Sequence, residues 1–398
     1  MVVQVNTLHG YRFPWREGNQ FEFLIDSTEF FPCMLEAIDS AQRYILLEMY
    51  LVESSDVFER FKRALLAAAA RDIKVYLLFD DYGSIGLKQR DRKQLAHDNI
   101  KTVYYNPLRS HSTLYNLYRI FWRHKYRGLY RNHRKLLLVD GNIAFVGGTG
   151  LTDEFDPTHD PEMRWRETMI EIKGPVIIDW QQLFEDSWNK YASKALTLPT
   201  IAPEPFHNGQ LGRVTVNEAA RWSGIQRTLI KRIHNAEHQI WFATAYFVPT
   251  WRIRRKLARA AKAGVDVRLL LPGPITDHPG VRYASHRYYT KLLNNGVRIF
   301  EFQPRFFHTK TVLCDSWVTI GSSNFDRWNF QWNLEANQEV EDQNIANKVK
   351  QMFENDFKDS HELTYKEWCR RNLRLRMLQW FWQKIELISM RIKHRNRS

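Results

Sequence analysis

Apolar positions near the start of the chain fall into short continuous runs separated by helically spaced ones. Residues 21–25, 44–51 and 73–79 are compact apolar runs that favour strands. Between them, a first helix is predicted behind Asp26 or Ser27, and residues 57–71 predict an alanine-rich helix capped near Ser55. The helical spacing of the first is carried by Phe30, Met34, Leu35, Ile38 and Ala41. Strands that alternate with helices predict an α/β fold with helices on the faces of a sheet.

The same order of elements returns after residue 225. Residues 40–50 align with residues 235–246, and residues 70–78 align with residues 263–270, which indicates an internal duplication. Three prolines, at 199, 203 and 205, mark a linker between the copies. We therefore divide the chain into a first repeat (residues 1–197), a linker (198–212), a second repeat (213–360) and a C-terminal tail (361–398).

A rare pattern, His-x-Lys-x-x-x-x-Asp, occurs once in each repeat. With 14 histidines in the chain and about 6% for each of the two other positions, chance predicts on the order of 0.05 matches. Two matches in equivalent positions therefore require a common cause. The copies consist of His133, Lys135 and Asp140, and of His308, Lys310 and Asp315.

The spacing within each motif predicts which side chains work together. On a strand, residues i and i+2 share a face, so His133 and Lys135 would point the same way, as would His308 and Lys310. Each aspartate falls at a predicted turn, where we expect it to brace a hairpin instead of contacting a substrate.

Two histidines and two lysines suit chemistry on a phosphodiester. One imidazole can attack phosphorus while the other, protonated, delivers its proton to the departing oxygen. The lysines, with Ser322 and Asn324 as hydrogen-bond donors, would hold the phosphoryl oxygens as charge develops. This chemistry predicts no metal and no other cofactor.

These residues resemble the phospholipase D superfamily, whose signature is this duplicated motif. Four further phrases resemble its bacterial cardiolipin synthase branch, especially the B-type synthases, and the resemblance spans residues 14–345. The phrases are Trp15-Arg16-Glu17-Gly18-Asn19, Asn132-His133-Arg134-Lys135, Gly321-Ser322-Ser323-Asn324 and Asn333-Leu334-Glu335-Ala336-Asn337. The resemblance implies two tandem phospholipase D-like repeats, each a mixed β-sheet flanked by helices, packed as a pseudo-twofold bilobed unit with the active site at the seam.

The resemblance also implies roles for single residues. His133, in the N-terminal copy, would be the nucleophile and His308 the general acid and base, although the residues alone leave this order open. Glu167 and Glu335 match carboxylates that hydrogen-bond an active-site histidine; the alternative is a surface glutamate. Asp140 and Asp315 belong to the signature.

One position departs from the family pattern. The first repeat has Gly150 where the family usually has asparagine, the residue found at Asn324 in the second repeat. We expect the backbone of Gly148 and Thr149, and the Thr149 hydroxyl, to compensate as phosphate donors. The two half-sites are therefore not expected to be equivalent.

Composition restricts the partners and the compartment. The net charge of +14 predicts an anionic partner, and either nucleic acid or an acidic membrane surface fits it. Three scattered cysteines predict neither a disulfide framework nor a zinc cluster, which favours a reducing compartment. No signal peptide and no apolar run of about 18 residues is recognisable, so we expect a peripheral protein on the cytoplasmic face of the cell membrane.

Two basic aromatic segments are candidates for that membrane contact. Residues 109–131, from Arg109 to Arg131, precede the first motif, and residues 368–398, from Trp368 to Ser398, close the chain. Each has the composition of a helix that lies on an anionic membrane. The alternatives are a surface helix packed on the core for the first segment and a docking helix on the protein body for the second.

The leading hypothesis is a phosphatidyltransferase that forms cardiolipin or a related phospholipid from a donor such as phosphatidylglycerol. A phospholipase D that hydrolyses phospholipid to phosphatidic acid would use the same residues, with water as the acceptor. A nuclease of the same superfamily would also accept the positive charge. Tryptophans in the tail favour lipid over nucleic acid, so no nucleic acid partner is expected.

Overall fold

The computed structural model describes residues 12–107, 130–199, 202–218 and 222–372, together with Met377, Gln379 and Trp382. The first repeat contains eight strands and four α-helices within these ranges. Its strands are β1 (Arg16–Ile25), β2 (Tyr44–Met49), β3 (Lys74–Asp80), β4 (Ile100–Tyr105), β5 (Arg131–Asn132), β6 (Leu136–Val139), β7 (Ile143–Gly147) and β8 (Thr168–Lys173). Its helices are α1 (Ser27–Asp39), α2 (Asp56–Ala70), α3 (Gln89–Gln94) and α4 (Ile177–Asn189), with a 3-10 turn at Pro161–Met163.

The second repeat follows the same plan within the described residues. Its strands are β9 (Gln210–Glu218), β10 (Trp222–Ser223), β11 (Gln239–Ala243), β12 (Asp266–Pro272), β13 (Arg298–Phe302), β14 (Thr311–Cys314), β15 (Trp317–Gly321), β16 (Asn333–Glu341) and β17 (Ser360–Leu363). Its helices are α5 (Gly224–Asn235), α6 (Trp251–Lys262), α7 (Pro279–Ser285), α8 (Tyr289–Leu293), α9 (Arg327–Trp332), α10 (Gln343–Lys358) and α11 (Tyr365–Arg370), with a 3-10 turn at His286–Tyr288.

The two sheets have the same strand order. The first runs β4-β3-β2-β6-β7-β8-β1, and the second runs β13-β12-β11-β14-β15-β16-β9 with β17 added beside β13. In each sheet the three strands at one end are parallel and the other pairings are antiparallel. Identical order over seven strands confirms the α/β class and the duplication.

One apolar core belongs to both repeats. The inner faces of the two sheets and the helices α4 and α10 contribute to a single buried cluster, which includes Trp180 and Phe353. The outer face of the first sheet packs on α1 and α2, and that of the second packs on α5 and α6, in two further clusters. Because the shared core is buried between the sheets, the repeats form one bilobed unit.

Local sequence signals account for several helix ends. Ser55 begins α2 by accepting a hydrogen bond from the backbone N–H of Phe58 at 3.1 Å, as its position predicts. Thr250 and Asp342 cap α6 and α10 in the same way. The first helix begins at Ser27, but Asp26 makes no side-chain cap there, because its backbone adopts a φ of 65°.

The predicted membrane segments are only partly described. Of residues 109–131, only Tyr130 and Arg131 lie within the described ranges. The start of the predicted tail packs on the second repeat: β17 pairs with β13, and Trp368 of α11 is buried and donates from its indole N–H to Thr290 at 3.0 Å. After residue 372, the tail residues other than Met377, Gln379 and Trp382 lie outside the described residues. The predicted boundaries at 197, 212 and 360 stay predictions.

The two motif aspartates bind backbone at the start of a neighbouring strand. The Asp140 carboxylate accepts hydrogen bonds from the N–H groups of Gln42, Arg43 and Tyr44, at 2.7 to 2.8 Å. The Asp315 carboxylate does the same for residues 237, 238 and 239, at 2.9 to 3.1 Å. Both aspartates have a positive φ at the hairpin turn. Their carboxylates tie each hairpin to the start of the antiparallel strand beside it, β2 or β11.

We predict that Asp140→Asn destabilises the protein by about 1–3 kcal/mol, because the amide cannot satisfy three backbone donors. Asparagine tolerates the positive φ of this position, so backbone strain does not contribute. The measurement is chemical denaturation, with exposed Asp98→Asn as the control. Equal stability of the two variants would contradict the bracing role.

Candidate active site

Two short parallel pairings bring the motifs to the seam between the repeats. In one, β5 pairs with the start of β16, aligning Arg131 with Asn333 and Asn132 with Leu334. In the other, Arg166 pairs with Phe307. Each pairing continues by one hydrogen bond, from His133 N–H to Leu334 O at 3.0 Å and from His308 N–H to Arg166 O at 2.9 Å. Each motif histidine therefore lies alongside a glutamate of the opposite repeat.

The first histidine is held by the second repeat. Nδ1 of His133 lies 3.0 Å from Oε1 and 3.1 Å from Oε2 of Glu335, and 3.2 Å from the carbonyl oxygen of Ser322. The Glu335 side chain is fully buried and also accepts a hydrogen bond from the Ser322 hydroxyl. Since every partner of Nδ1 is an acceptor, Nδ1 carries the proton and Nε2 keeps its lone pair.

The second histidine is held by the first repeat. Nδ1 of His308 lies 2.6 Å from Oε2 of Glu167, which is buried and accepts a second hydrogen bond at Oε1 from Thr168 N–H. Lys310 Nζ lies 3.2 Å from the same Glu167 oxygen and 3.3 Å from His308 Nε2. The carboxylate therefore orients both the imidazole and the ammonium group.

The prediction that each motif lies on a strand is wrong in detail. Residues 133–135 and 308–310 are extended segments that precede β6 and β14 and pair across the seam. The alternation of side chains survives, because Arg134 points the opposite way and donates to Ser187 at 2.7 Å and to Glu218 at 3.1 Å. These segments hydrogen-bond to the backbone of the opposite repeat, whereas the sequence pattern suggests that they pair within the sheet of their own repeat.

Burial dominates the electrostatics of the motif residues. It lowers the pKa of His133 more than Glu335 raises it. Burial, assisted by the charge on Lys310, lowers the pKa of His308 to about 4. Both imidazoles are therefore neutral at pH 7 in the unliganded site, which leaves a lone pair on Nε2 of each.

The two lysines and Glu167 form a coupled set of charges. Burial lowers the pKa of Lys135 to about 7 although Glu335 opposes the shift, and the charge on Lys310 lowers it further. Burial also lowers the pKa of Lys310, against the effect of Glu167. Burial alone would raise the pKa of Glu167, but Lys310 and the hydrogen bond from His308 outweigh it, so that pKa lies below its ordinary value.

The predicted phosphate donors lie around this cluster in unequal settings. A Cβ on Gly148 would lie 2.6 Å from Lys310 Nζ and closer still to Glu167, so only glycine allows this approach. The Thr149 hydroxyl is buried and donates to Gly150 O at 3.2 Å. Asn324 is buried, and its Oδ1 has no hydrogen-bond partner within the described chain. That oxygen can only accept a hydrogen bond, so a contact from Asn324 to a phosphoryl oxygen must come from its side-chain N–H groups.

Gly150 leaves no room for the missing asparagine. A Cβ there would lie 3.0 Å from Leu51 Cβ, 3.0 Å from Leu51 O and 3.3 Å from Leu51 Cδ2. The N–H of Leu151 also donates to Leu51 O at 2.9 Å, which fixes the close approach of the two segments. The two half-sites therefore differ in shape as well as in sequence.

Aromatic side chains around the histidines were not predicted from the sequence. The Tyr50 ring lies 4.7 Å from the His133 ring, and Lys135 Nζ lies 5.1 Å from the centre of Tyr50. Around His308, ring centres lie at 5.1 Å for Trp165, 5.5 Å for Phe155 and 5.6 Å for Phe306. These rings form apolar walls that contribute to the burial of the imidazoles.

Tyr246 is a further residue that the sequence analysis missed, and the duplication contained a signal for it. It occupies the position that aligns with Tyr50, and its hydroxyl donates to the Asp277 carboxylate. The Tyr246 ring centre lies 6.5 Å from that of Phe306. A tyrosine repeated at equivalent positions beside a repeated motif could have been singled out from the sequence.

The chemistry of these residues indicates the kind of site. Two neutral imidazoles with oriented lone pairs, two buried lysines and a set of hydrogen-bond donors can attack, protonate and hold a phosphoryl group. Within the described ranges, no group of three or more His, Cys, Asp or Glu side chains could hold a metal ion. The arrangement has the groups that a two-histidine phosphoryl-transfer centre shared by two repeats requires.

Comparison with known proteins identifies the family. The family model described as "Cardiolipin synthase, PLD-like domain" matches residues 34–188 and 229–357. The chain is 31% identical to cardiolipin synthase A of Pseudomonas putida over 359 residues, which are 89% of this chain and 71% of that protein. It is also 31% identical to cardiolipin synthase A of a Pseudomonas fluorescens strain over 370 residues, 92% of this chain and 74% of that protein. The chain belongs to the cardiolipin synthase branch of the phospholipase D superfamily.

Solved structures with low sequence identity share the fold. The crystal structure of phosphatidylserine synthase from Haemophilus influenzae superposes with a TM-score of 0.70 at 13% identity, covering 93% of this chain and 94% of that one. Polyphosphate kinase from Porphyromonas gingivalis superposes with a TM-score of 0.56 at 15% identity, covering 93% and 53%. The predicted superfamily, branch and bilobed fold are confirmed, while the narrower likeness to the B-type synthases stays a prediction.

We predict that anion binding at the seam weakens as pH rises from 6 to 8. Lys135 is protonated below its pKa of about 7, so it attracts an anion at pH 6 and loses that attraction at pH 8, by up to about tenfold in affinity. Sulfate is the suitable probe, because its own charge does not change in this range. Isothermal titration calorimetry measures the dissociation constant, and Lys135→Met should bind more weakly with a shallower pH dependence. A wild-type affinity that rises with pH would contradict the assignment.

We also predict that Gly150→Asn does not restore a second donor but destabilises the protein by about 1–3 kcal/mol, because the new side chain overlaps Leu51. The measurement is thermal or chemical denaturation. Leu51→Ala in the same chain should recover little of the loss, because the Leu51 Cβ and carbonyl oxygen, which make the two closest contacts, remain. A stable single variant with tighter sulfate binding would contradict this explanation of the glycine.

Proposed function

We propose that the protein is a phosphatidyltransferase that joins phospholipids into cardiolipin or a closely related lipid. One observation carries the proposal: each motif histidine is oriented at Nδ1 by a buried glutamate of the opposite repeat, with Nε2 left as the reactive atom. Membership of the cardiolipin synthase branch supports a phosphatidyl group as the transferred unit.

The first half of the reaction forms a covalent intermediate. His133 Nε2 attacks the phosphorus of a donor such as phosphatidylglycerol, so that a P–N bond forms and the P–O bond to the headgroup alcohol breaks. His308 gives its Nε2 proton to the departing oxygen, which leaves as glycerol. Lys135, Lys310 and Asn324 hold the phosphoryl oxygens while charge develops.

The second half transfers the phosphatidyl group. His308, now neutral, removes the proton from a hydroxyl of the acceptor lipid, and that oxygen attacks phosphorus as the P–N bond breaks. Transfer requires that water does not take the place of the acceptor hydroxyl, and the edge-on and tilted aromatic rings around His308 support this by giving the site apolar walls. The same residues would hydrolyse the intermediate if water were admitted.

The protonation states fit this sequence of steps. A nucleophilic imidazole must be neutral, and burial keeps the pKa of His133 low. A general acid must carry a proton, whereas the pKa of His308 in the unliganded site is about 4. The negative phosphodiester of the bound substrate opposes both burial and the Lys310 charge, so substrate binding raises the pKa of His308 and brings a proton into the site.

The substrates place the enzyme at a membrane. Among the described residues no helix has the length and apolar character to cross a bilayer. The proposed association is peripheral, on the cytoplasmic face, with residues 109–131 and the part of the tail after Asn372 as contacts to anionic lipid. The positive charge of the chain supports this arrangement.

The test is product analysis on liposomes that contain phosphatidylglycerol with an isotopically labelled headgroup. We predict cardiolipin and free labelled glycerol with wild-type protein, and a loss of at least about a thousandfold in rate with His308→Ala or His133→Ala. His159→Ala, at an exposed loop histidine, is the matched control and should retain full activity.

The products separate this function from its rivals. Phosphatidic acid without cardiolipin would identify a phospholipase D, and cleavage of labelled DNA without any lipid product would identify a nuclease. Cardiolipin formation that is unchanged in both histidine variants would contradict the proposed mechanism.

A further inference from the structure

A cleft that no motif residue lines lies between α6 and α8 on the outer side of the second sheet. It has a volume of about 270 Å³ and is lined by Trp251, Arg255, Arg259, Lys262, Tyr288 and Lys291, among others. No aspartate or glutamate lines it. We call this feature the basic cleft.

The helix that forms one wall of the cleft is unusually charged. Between Trp251 and Lys262, α6 contains six arginines and lysines and no acidic residue. Its apolar side is narrow, with Ile253 and Leu257 buried in the core. Arg255, Arg259, Lys262 and Lys291 are exposed, and within the described part of the chain none of them forms an ion pair. The cleft therefore concentrates positive charge that the protein does not neutralise.

The equivalent helix of the first repeat provides an internal comparison. Like α6, α2 connects the first two parallel strands of its sheet, but it contains both Asp56 and Glu59 among its basic residues. Its Lys62 is buried and paired with Glu59 at 2.6 Å and with Asp91 of α3 at 2.9 Å. A helix at this position of the fold can therefore have its basic residues paired with acidic ones, as in α2. The unpaired positive charge of α6 is specific to the second repeat and is not required by the fold.

An exposed tryptophan stands at the edge of the cleft. Trp251 begins α6 with 58% of its surface exposed, and the guanidinium of Arg255 lies 4.9 Å from its ring centre. An amphipathic aromatic ring beside several cations is the combination that suits the interface between lipid headgroups and acyl chains. A charged surface that contacts only water gains nothing from an exposed indole, so the exposed Trp251 favours a contact with lipid.

The cleft is connected to the active site through short segments. Trp251 follows Tyr246 by only a few residues, and Tyr246 lies near the rings around His308. On the other wall, Tyr288 accepts a hydrogen bond from Arg327 at the start of α9, and α9 leads directly into the strand that carries Glu335. At the end of α9, the Trp332 ring lies 5.9 Å from that of Tyr130, which immediately precedes β5.

We propose that the basic cleft is an accessory binding site for the headgroups of anionic phospholipids in a membrane surface. The headgroup phosphates lie among Arg255, Arg259, Lys262 and Lys291, while Trp251 inserts at the level of the glycerol backbone. The site takes no part in the reaction at the histidines. It holds the second repeat against the bilayer, and it would do so whether the reaction is transfer or hydrolysis.

Vesicle flotation tests the proposal with the full-length protein. The variant Arg255→Glu/Arg259→Glu/Lys262→Glu is compared with Lys88→Glu/Lys93→Glu/Lys101→Glu, which makes the same change in net charge at exposed positions of the first repeat. Vesicles contain equal amounts of phosphatidylglycerol and phosphatidylcholine, or phosphatidylcholine alone. The quantity measured is the lipid concentration at half-maximal binding, with thermal unfolding as the check on folding.

We expect the cleft variant to need at least about ten times more anionic lipid than wild type, and the control variant to stay within about twofold. Trp251→Ala should weaken binding several-fold although it changes no charge. All variants should transfer a short-chain monomeric phosphatidylglycerol at the wild-type rate, and a lower rate in the cleft variant alone would contradict a site that takes no part in the reaction. Absence of transfer by the wild type itself would count against the proposed function and would leave the vesicle-binding result standing.

Other results would overturn the proposal. Equal losses in the cleft and control variants would show that net charge alone drives binding, and unchanged binding in both would show that the cleft does not contact lipid. A third arm adds inorganic phosphate against chloride at matched ionic strength. If phosphate raises the thermal unfolding temperature of wild type but not of the cleft variant, while both bind vesicles equally, the cleft is a site for a soluble phosphate and not for a lipid surface.

Discussion

The catalytic arrangement depends on two parallel backbone pairings across the seam, at residues 131–133 with 333–334 and at Phe307–His308 with Arg166. In a parallel register, residues that follow a paired position stay side by side. His133 is thereby set beside Glu335, and His308 beside Glu167. Neither repeat alone contains a complete histidine–glutamate pair, so the active site exists only when the repeats are packed together.

Burying so many charges is tolerated because they compensate one another. Two glutamates face two lysines and two neutral imidazoles. Beside this cluster, a further buried ion pair joins Arg166 of the first repeat to Asp356 of the second at 2.8 Å. An isolated charge in such a place would be strongly destabilising. The low pKa values of both histidines follow from this burial. The negative charge of a bound phosphodiester would offset the positive charge of the two lysines.

The sequence predicted what is local or repeated. Helix and strand patterns gave the α/β class, and the duplicated motif identified the residues that meet at the seam. It could not show that each glutamate serves the opposite repeat, because Glu335 and His133 are separated by about 200 positions and only the three-dimensional pairing relates them. Assigning the motif to a strand failed for the same reason, since the partner of that segment lies across the seam. Gly150 showed from the sequence alone that the two half-sites are unequal. The close contact with Leu51 that explains the glycine was visible only in the structure.

The central claim is that one phosphorus atom is flanked by imidazoles from both repeats. A crystal structure with bound orthovanadate, which adopts the trigonal-bipyramidal geometry of phosphoryl transfer, tests it most directly. The account predicts a single vanadate with Nε2 of one histidine at one apical position, and with Nε2 of the other within hydrogen-bond distance of the opposite apical oxygen. Vanadate bound to one histidine while the other contacts a separate anion, or neither, would contradict it.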